Sequence, residues 1–305
     1  MIDILSKRYL YFAFSLLVII PGLILLGARG LPLSIDFTGG SLLEVRFEGG
    51  TPLTNAELIQ LFENAGIDDV QVQTTESGTF QIRSSVLDIE TRGLILDEMK
   101  AESGGEVTVI REDSVGPSIG AAVTSRAALA VGLAALAVII YITFAFRKVP
   151  NAFRYGACAI IAMVHDVAVV FSIVGFGAIL FDWQIDSLFL TALLTVIGFS
   201  VQDKVVVFDR IRENSSVLRR LEYETLVNHS IVQTLQRSIN TQLMTVEFLL
   251  LSLALFGGIT LQEFAVILLV GLFSGTYSSI FIAAPILVLW EKQEWKTWFR
   301  RGATA

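Results

Sequence analysis

The chain has 305 residues, 53% hydrophobic and 17% charged, with a mean hydropathy of +0.67. Its net charge of −7 is concentrated in residues 30–122, where five basic against sixteen acidic residues give −11, a balance that argues against nucleic acid as a partner because phosphate binding needs a basic surface. A lone Cys158 excludes an intramolecular disulfide, and no Cys/His cluster, glycine-rich phosphate loop or hydrolytic triad points to a metal, a cofactor or an enzyme.

Apolar runs of about 20 residues match the thickness of a hydrocarbon core and mark a membrane protein. The first runs over about Tyr9–Leu26, behind Lys7 and Arg8. It is longer than an ordinary signal-peptide core and lacks a small-x-small cleavage site, so residues 1–29 are read as an N-terminus and an uncleaved first helix.

Residues 30–122 read as a small α+β domain with sixteen Asp or Glu against five Lys or Arg. "SLLEVRFE" alternates Leu43, Val45 and Phe47 with Leu42, Glu44 and Arg46, the period of a strand. "TPLTNAELIQLFENAG" carries Thr54 as N-cap and Glu57 as its capping-box partner, with Gly66 as the stop. "VQVQTT" and "TFQIRSS" follow as a hairpin, then the helix "DIETRGLILDEMKAESGG" and the strand "EVTVIREDSV". The order β-α-β-β-α-β is that of a ferredoxin-like unit.

Residues 123–290 supply helices two to six, at about Ala127–Phe146, Ala152–Ile173, Leu188–Phe208, Leu235–Phe256 and Phe264–Trp290, with a linker over 210–234 and a tail over 291–305. The fold class is therefore an α-helical polytopic membrane protein with six transmembrane helices and an α+β domain between the first two. Arg147, Lys148 and Arg154, then Arg210, Arg212, Arg219 and Arg220, then Lys292, Lys296, Arg300 and Arg301 flank one side of the spans, while 182–186 and 257–262 hold no Lys or Arg. The positive-inside rule puts both termini in the cytoplasm and residues 30–122 on the exported side. Gly271 and Gly275 have the small-xxx-small spacing of close helix packing, and the sequons at Asn214 and Asn228 fall in the cytoplasmic linker.

Few ionisable groups lie within the spans: His165 and Asp166, Asp203 and Lys204, Arg237 and Glu247, with Glu263 at an outer end. A charge at the bilayer centre costs at least about 2.5–3.5 kcal/mol, so such groups face a partner or a water-filled path. Asp203 and Arg237 enter from the same side at similar depth and are expected to pair. Arg237, Asn240, Met244 and Glu247 share one helical stripe. Ser200, one turn before Asp203, is expected to hydrogen-bond it. Lys204, about 100° around the helix, is expected to snorkel to the headgroups. The pair supports two readings: a salt bridge that only joins two helices, or a proton relay. In a relay, a nearby cation and desolvation shift a carboxyl's proton affinity in opposite directions as the pair opens and closes. Asp166, His165, Glu247, Asn240 and Ser200 are accessory candidates.

These residues carry a family resemblance. "IDFTGGSLLEVRF", "VGPSIG", "HD", "TVIGFSVQDKVVVFDRIREN", "QTLQRSINT" and "GTYSSIFIAAP" together resemble the SecD/SecF family of protein-export subunits, in its SecF form, over about Ser34–Trp290. The resemblance implies the resistance-nodulation-division superfamily and a SecD partner completing a twelve-helix core in the bacterial cytoplasmic membrane. It also implies contact with the SecYEG translocon, with YajC and YidC as further partners, preprotein as substrate, and use of the proton-motive force. The family's proton-linked aspartate and arginine fall on Asp203 and Arg237. Gln202, Lys204 and Glu247 depart from the family pattern. A scaffold subunit without its own relay is the alternative from another class. A small-molecule antiporter is weakened by the half-sized set of spans.

Overall fold

The computed structural model describes residues 3–75, 78–147, 152–242, 248–256, 258–294 and 296. A 3-10 turn, Leu5–Lys7, leads into α1 (Arg8–Arg29), then α2 (Ile35–Thr38), β1 (Gly40–Glu48), α3 (Asn55–Asn64), β2 (Gln71–Thr74) and β3 (Phe80–Ser84). There follow α4 (Ile89–Ser103), β4 (Glu106–Val115), α5 (Pro117–Phe146), α6 (Ala152–Leu180), α7 (Ser187–Val217), α8 (Tyr223–Gln242) and α9 (Phe248–Phe256). The last elements are α10 (Gly258–Ser278), a π-helical turn (Ser279–Ala283) and α11 (Ala284–Lys292). The chain forms two compact units, Leu33–Leu129 and Met1–Pro32 with Ala130–Ala305.

In the first unit the sheet order is β2-β3-β1-β4 with every neighbouring pair antiparallel, the arrangement of a split βαβ fold. Alternation along β1 sends Leu43 and Val45 inward, where they meet Phe62 of α3 and Ile95 and Met99 of α4 in one apolar core. Both helices start at designed caps. The Thr54 amide donates to Glu57 Oε2 at 2.7 Å, closing the capping box, and Asp88 Oδ1 accepts from the Thr91 amide at 2.7 Å. These amide bonds hold the Glu57 and Asp88 carboxyls below the usual range. β1 and β4 shift register between Glu44 and Val45, a bulge. The short α2, capped by Ser34, has no counterpart among the expected elements.

In the second unit, five helical stretches among the described residues are long and apolar enough to cross a membrane: Leu5–Arg29, α5, α6, α7 and Leu261–Lys292. The expected span Leu235–Phe256 is met by the end of α8 and by α9, and its middle, 243–247, lies outside the described residues. Glu247 and Met244 belong to that stretch. The most apolar windows of α6, α7 and Leu261–Lys292 are 50%, 44% and 61% buried against 17% and 11% for α1 and α5, so the former make the centre. Small residues set these contacts. A side chain at Gly22 would collide with Ser172, whose hydroxyl donates to Val18 O at 2.7 Å, joining α1 to α6. Gly271 and Gly275 bring α10 against Val196 and Ser200 of α7, as the small-xxx-small spacing implies.

The structure departs from the expected linker. Helix α7 continues past the apolar run to Val217, supported by Asp209–Arg212 and Arg210–Glu213 pairs at i,i+3. Asn214 then bonds Ser230 and Gln233 of α8 at 2.8 and 2.9 Å. The π-helical turn precedes Pro285, whose missing N–H and ring displace the regular ladder around Phe281.

Phe62→Ala is expected to destabilise the sheet unit by about 3–5 kcal/mol, read from hydrogen exchange of β1 amides in the full chain. A loss below about 1 kcal/mol would contradict the packing described. The depressed Glu57 and Asp88 carboxyls contribute fully above their unfolded pKa of about 4, and the contribution disappears as pH falls through the folded values. Exchange protection of α3 and α4 should therefore be level near neutrality and decline below about pH 4. Gly22→Ala should lower the amount of chain extracted folded from membranes, and Gly27→Ala, whose Cβ meets nothing within 4 Å, should not.

Candidate functional site

Helix α7 is started by Asp186, whose Oδ1 accepts from the Phe189 amide at 2.7 Å. The turn ahead of it is held by Glu263 of α10, which accepts from the Gln184 amide at 3.1 Å. From this start, Ser200 and Lys204 fall one turn apart on the face toward α6 and α10. Asp203 is rotated by about 100° toward α8.

Among the described residues the most buried charges are Asp166 of α6 and Lys204 of α7. Their ion pair measures 2.7 Å between Nζ and Oδ2, with side chains 1% and 0% exposed. The carboxylate is surrounded by donors. Oδ2 accepts from Ser200 at 2.6 Å and Ser278 at 2.7 Å, and Oδ1 accepts from Ser274 at 2.8 Å. His165 Nδ1 lies 3.1 Å from Oδ1, its ring stacked on Tyr277. An ammonium has three N–H groups. Those of Lys204 meet Asp166 Oδ2, the Ser200 carbonyl at 3.1 Å and the Ser200 hydroxyl.

Asp203 has different surroundings. It is half-buried, and its carboxylate accepts from Ser238 of α8 at 2.7 Å and from Ser279 of the π-helical turn. It opens on a cleft of about 40 Å³ lined by Phe199, Gln202, Val206, Arg237, Ser238 and Thr241. That volume holds a few waters. Arg237 is exposed on the same cleft.

Several expected contacts take another form. Among the described residues Arg237 has no ion pair, so the sequence-based Asp203–Arg237 bridge is replaced by a shared cleft with hydroxyls on the carboxylate. Ser200 bonds Asp166 instead of Asp203, because one turn along α7 brings it in line with Lys204. Lys204 does not snorkel; a carboxylate within reach offers its ammonium more than a distant headgroup does. Asn240 is exposed on α8, and Glu247 is outside the described residues. Ser274, Ser278, Ser238 and Ser279 were missed. For Ser274, Ser278 and Ser279 the signal is serine in an otherwise apolar span, as "FSGTYSS" shows; Ser238, in the polar "QRSINTQ", carries none.

The spans also converge at one end. Arg8 pairs with Glu224 at 2.6 Å and Glu294 at 2.7 Å, Lys292 with Glu222 at 2.8 Å and with Glu224, and Arg154 with Glu291. Burial alone would raise the Glu224 carboxyl, but Lys292 and Arg8 hold it below the usual range. These bonds join the starts of α1, α6 and α8 to the end of α11.

Comparison with known proteins agrees with this architecture. Residues 95–293 match the family model of the protein export membrane protein SecD/SecF, C-terminal, and residues 24–50 match the SecD/SecF GG motif. Gly39 and Gly40, with φ of +75° and +124°, stand in the latter. The chain is 66% identical to a protein translocase subunit SecF of Anaerolinea thermophila, covering 99% of this chain and 98% of that one. It is 36% identical to a protein translocase subunit SecDF of Thermus thermophilus, over 87% of this chain and 35% of that one. A crystal structure of SecDF described as a translocon-associated membrane protein superposes with a TM-score of 0.80 at 32% identity, covering 95% of this chain and 39% of that one. With a family model over most of its length and close relatives along all of it, this chain belongs to the SecD/SecF protein-export family.

Proposed function

We propose that the chain acts in protein export across the bacterial cytoplasmic membrane, as a non-enzymatic subunit that couples the proton-motive force to late steps of translocation. The observation that carries this is the Asp203 cleft. A half-buried carboxylate within an apolar helix is held by hydroxyls, without a cation in contact among the described residues, beside a cleft with room for water that Arg237 also lines. Such a group can take up a proton when desolvated and release it when a guanidinium approaches. Each proton crossing 100 mV supplies about 2.3 kcal/mol, besides any pH gradient.

Relatives in which a segment like this one forms about a third of a longer SecDF chain support SecD as the partner. Six spans, cytoplasmic termini and an exported Leu33–Leu129 unit fit the basic residues flanking one side of the spans and the ion pairs that gather Arg8, Arg154, Glu224 and Lys292. A scaffold role is favoured for one element, the closed Asp166–Lys204 pair, which ties α6 to α7.

Asp203→Asn and Arg237→Met should each reduce preprotein translocation into inverted membrane vesicles to the level seen without a proton gradient, while SecD still co-purifies. Loss of SecD from either variant would favour the scaffold role. Retention of full gradient-driven export by both would remove the relay.

A further inference from the structure

Two carboxylates from neighbouring helices lie within the spans, and their surroundings differ in kind. Asp203 has an open side: two hydroxyl donors, partial exposure and a cleft with room for water. Asp166 has none. Its two oxygens take an ammonium, hydroxyls from Ser200, Ser274 and Ser278, and the edge of His165, and the residue is 0% exposed. Its partner is equally closed, since every N–H of Lys204 already has an acceptor. Among the described residues, the ionisable groups at Asp166 are His165 from its own helix and Lys204 from α7, while α10 contributes only serine hydroxyls.

A proton carrier needs a lone pair that water can reach and a partner that can leave. Lys204 is anchored by Ser200 of its own helix turn, through both carbonyl and hydroxyl, so withdrawing it from Asp166 would also break bonds within α7. We propose that Lys204 is a positioning residue that holds Asp166 as a permanent counter-ion. Asp166 thereby takes no part in proton transfer; of these two carboxylates, Asp203 is the one with an open side. The assignment rests on the relay reading for Asp203, but its claim about Asp166 can be tested separately.

The probe is a hydrophobic carbodiimide, which reacts with protonated carboxyls in apolar surroundings. Full-length chain in its complex with SecD is treated in membranes, and the peptides are weighed. Label is expected on Asp203 and not on Asp166, and Lys204→Met should make Asp166 reactive. Label on Asp166 in the unsubstituted complex, or an unreactive Asp166 in Lys204→Met, overturns the proposal. A second measurement uses gradient-driven export. Lys204→Met alone should fall at least about ten-fold, and Lys204→Met with Asp166→Asn should recover to within about three-fold, because the pair is lost together. The recovered variant should keep the pH profile of the unsubstituted chain. A double variant that co-purifies with SecD yet stays inactive shows that the Asp166 charge itself is needed, and the proposal fails. Asp203→Asn that still exports under a gradient would instead remove the relay reading, leaving the Asp166 labelling result to stand or fall alone.

Discussion

An ammonium and a carboxylate held inside a bundle of apolar helices constrain everything around them. Each alone would cost several kcal/mol at that depth, and removing one partner leaves the other uncompensated. Asp166 and Lys204 are tolerated because they meet each other and because serines from α7 and α10 satisfy the lone pairs that remain. The requirement reaches well beyond two side chains. It fixes the rotation of α6 and α7 about their axes, and it requires α10 to approach closely enough for hydroxyls to reach. Gly271 and Gly275 permit that approach, one against Val196 and the other against Ser200.

Once Lys204 is committed to the interior, helix geometry decides where its neighbour goes. A step of one residue is a turn of about 100°, so Asp203 must leave that face and meet α8. There it finds Ser238 and the cleft shared with Arg237. Two adjacent charges of opposite sign therefore serve different environments: one closed and saturated, the other open on a cleft. The contrast assigns them different physical roles without any appeal to their order in the chain.

Much of this was legible in the residues. Period-two alternation in β1, the Thr54 capping box and the turn glycines are enough to place the strands and the two longer helices of the α+β unit, because these signals act within a few residues. Five of the expected spans are legible too, since length and apolarity suffice. Partner choice was not. Depth along two helices said that Asp203 and Arg237 share a level, which is reflected in their common cleft, but depth carries no rotation. Lys204 was read as snorkelling because nothing local shows that Asp166, 38 positions earlier, faces it across the α6–α7 contact. The linker expected over 210–234 begins with the last turns of α7, because Arg210 and Arg212 make i,i+3 pairs that extend the helix to Val217.

The two carboxylates share one further link, in consecutive residues of a single backbone. Ser278 donates to Asp166, and Ser279, at the start of the π-helical turn, donates to Asp203. Their hydroxyls are joined by one peptide unit, so the helix cannot rotate or slide to release one without straining its hold on the other. The closed ion pair and the open cleft thus share one short stretch of backbone. It lies where Pro285 already interrupts the regular ladder, the part of that helix whose backbone bonds least resist a change of pitch.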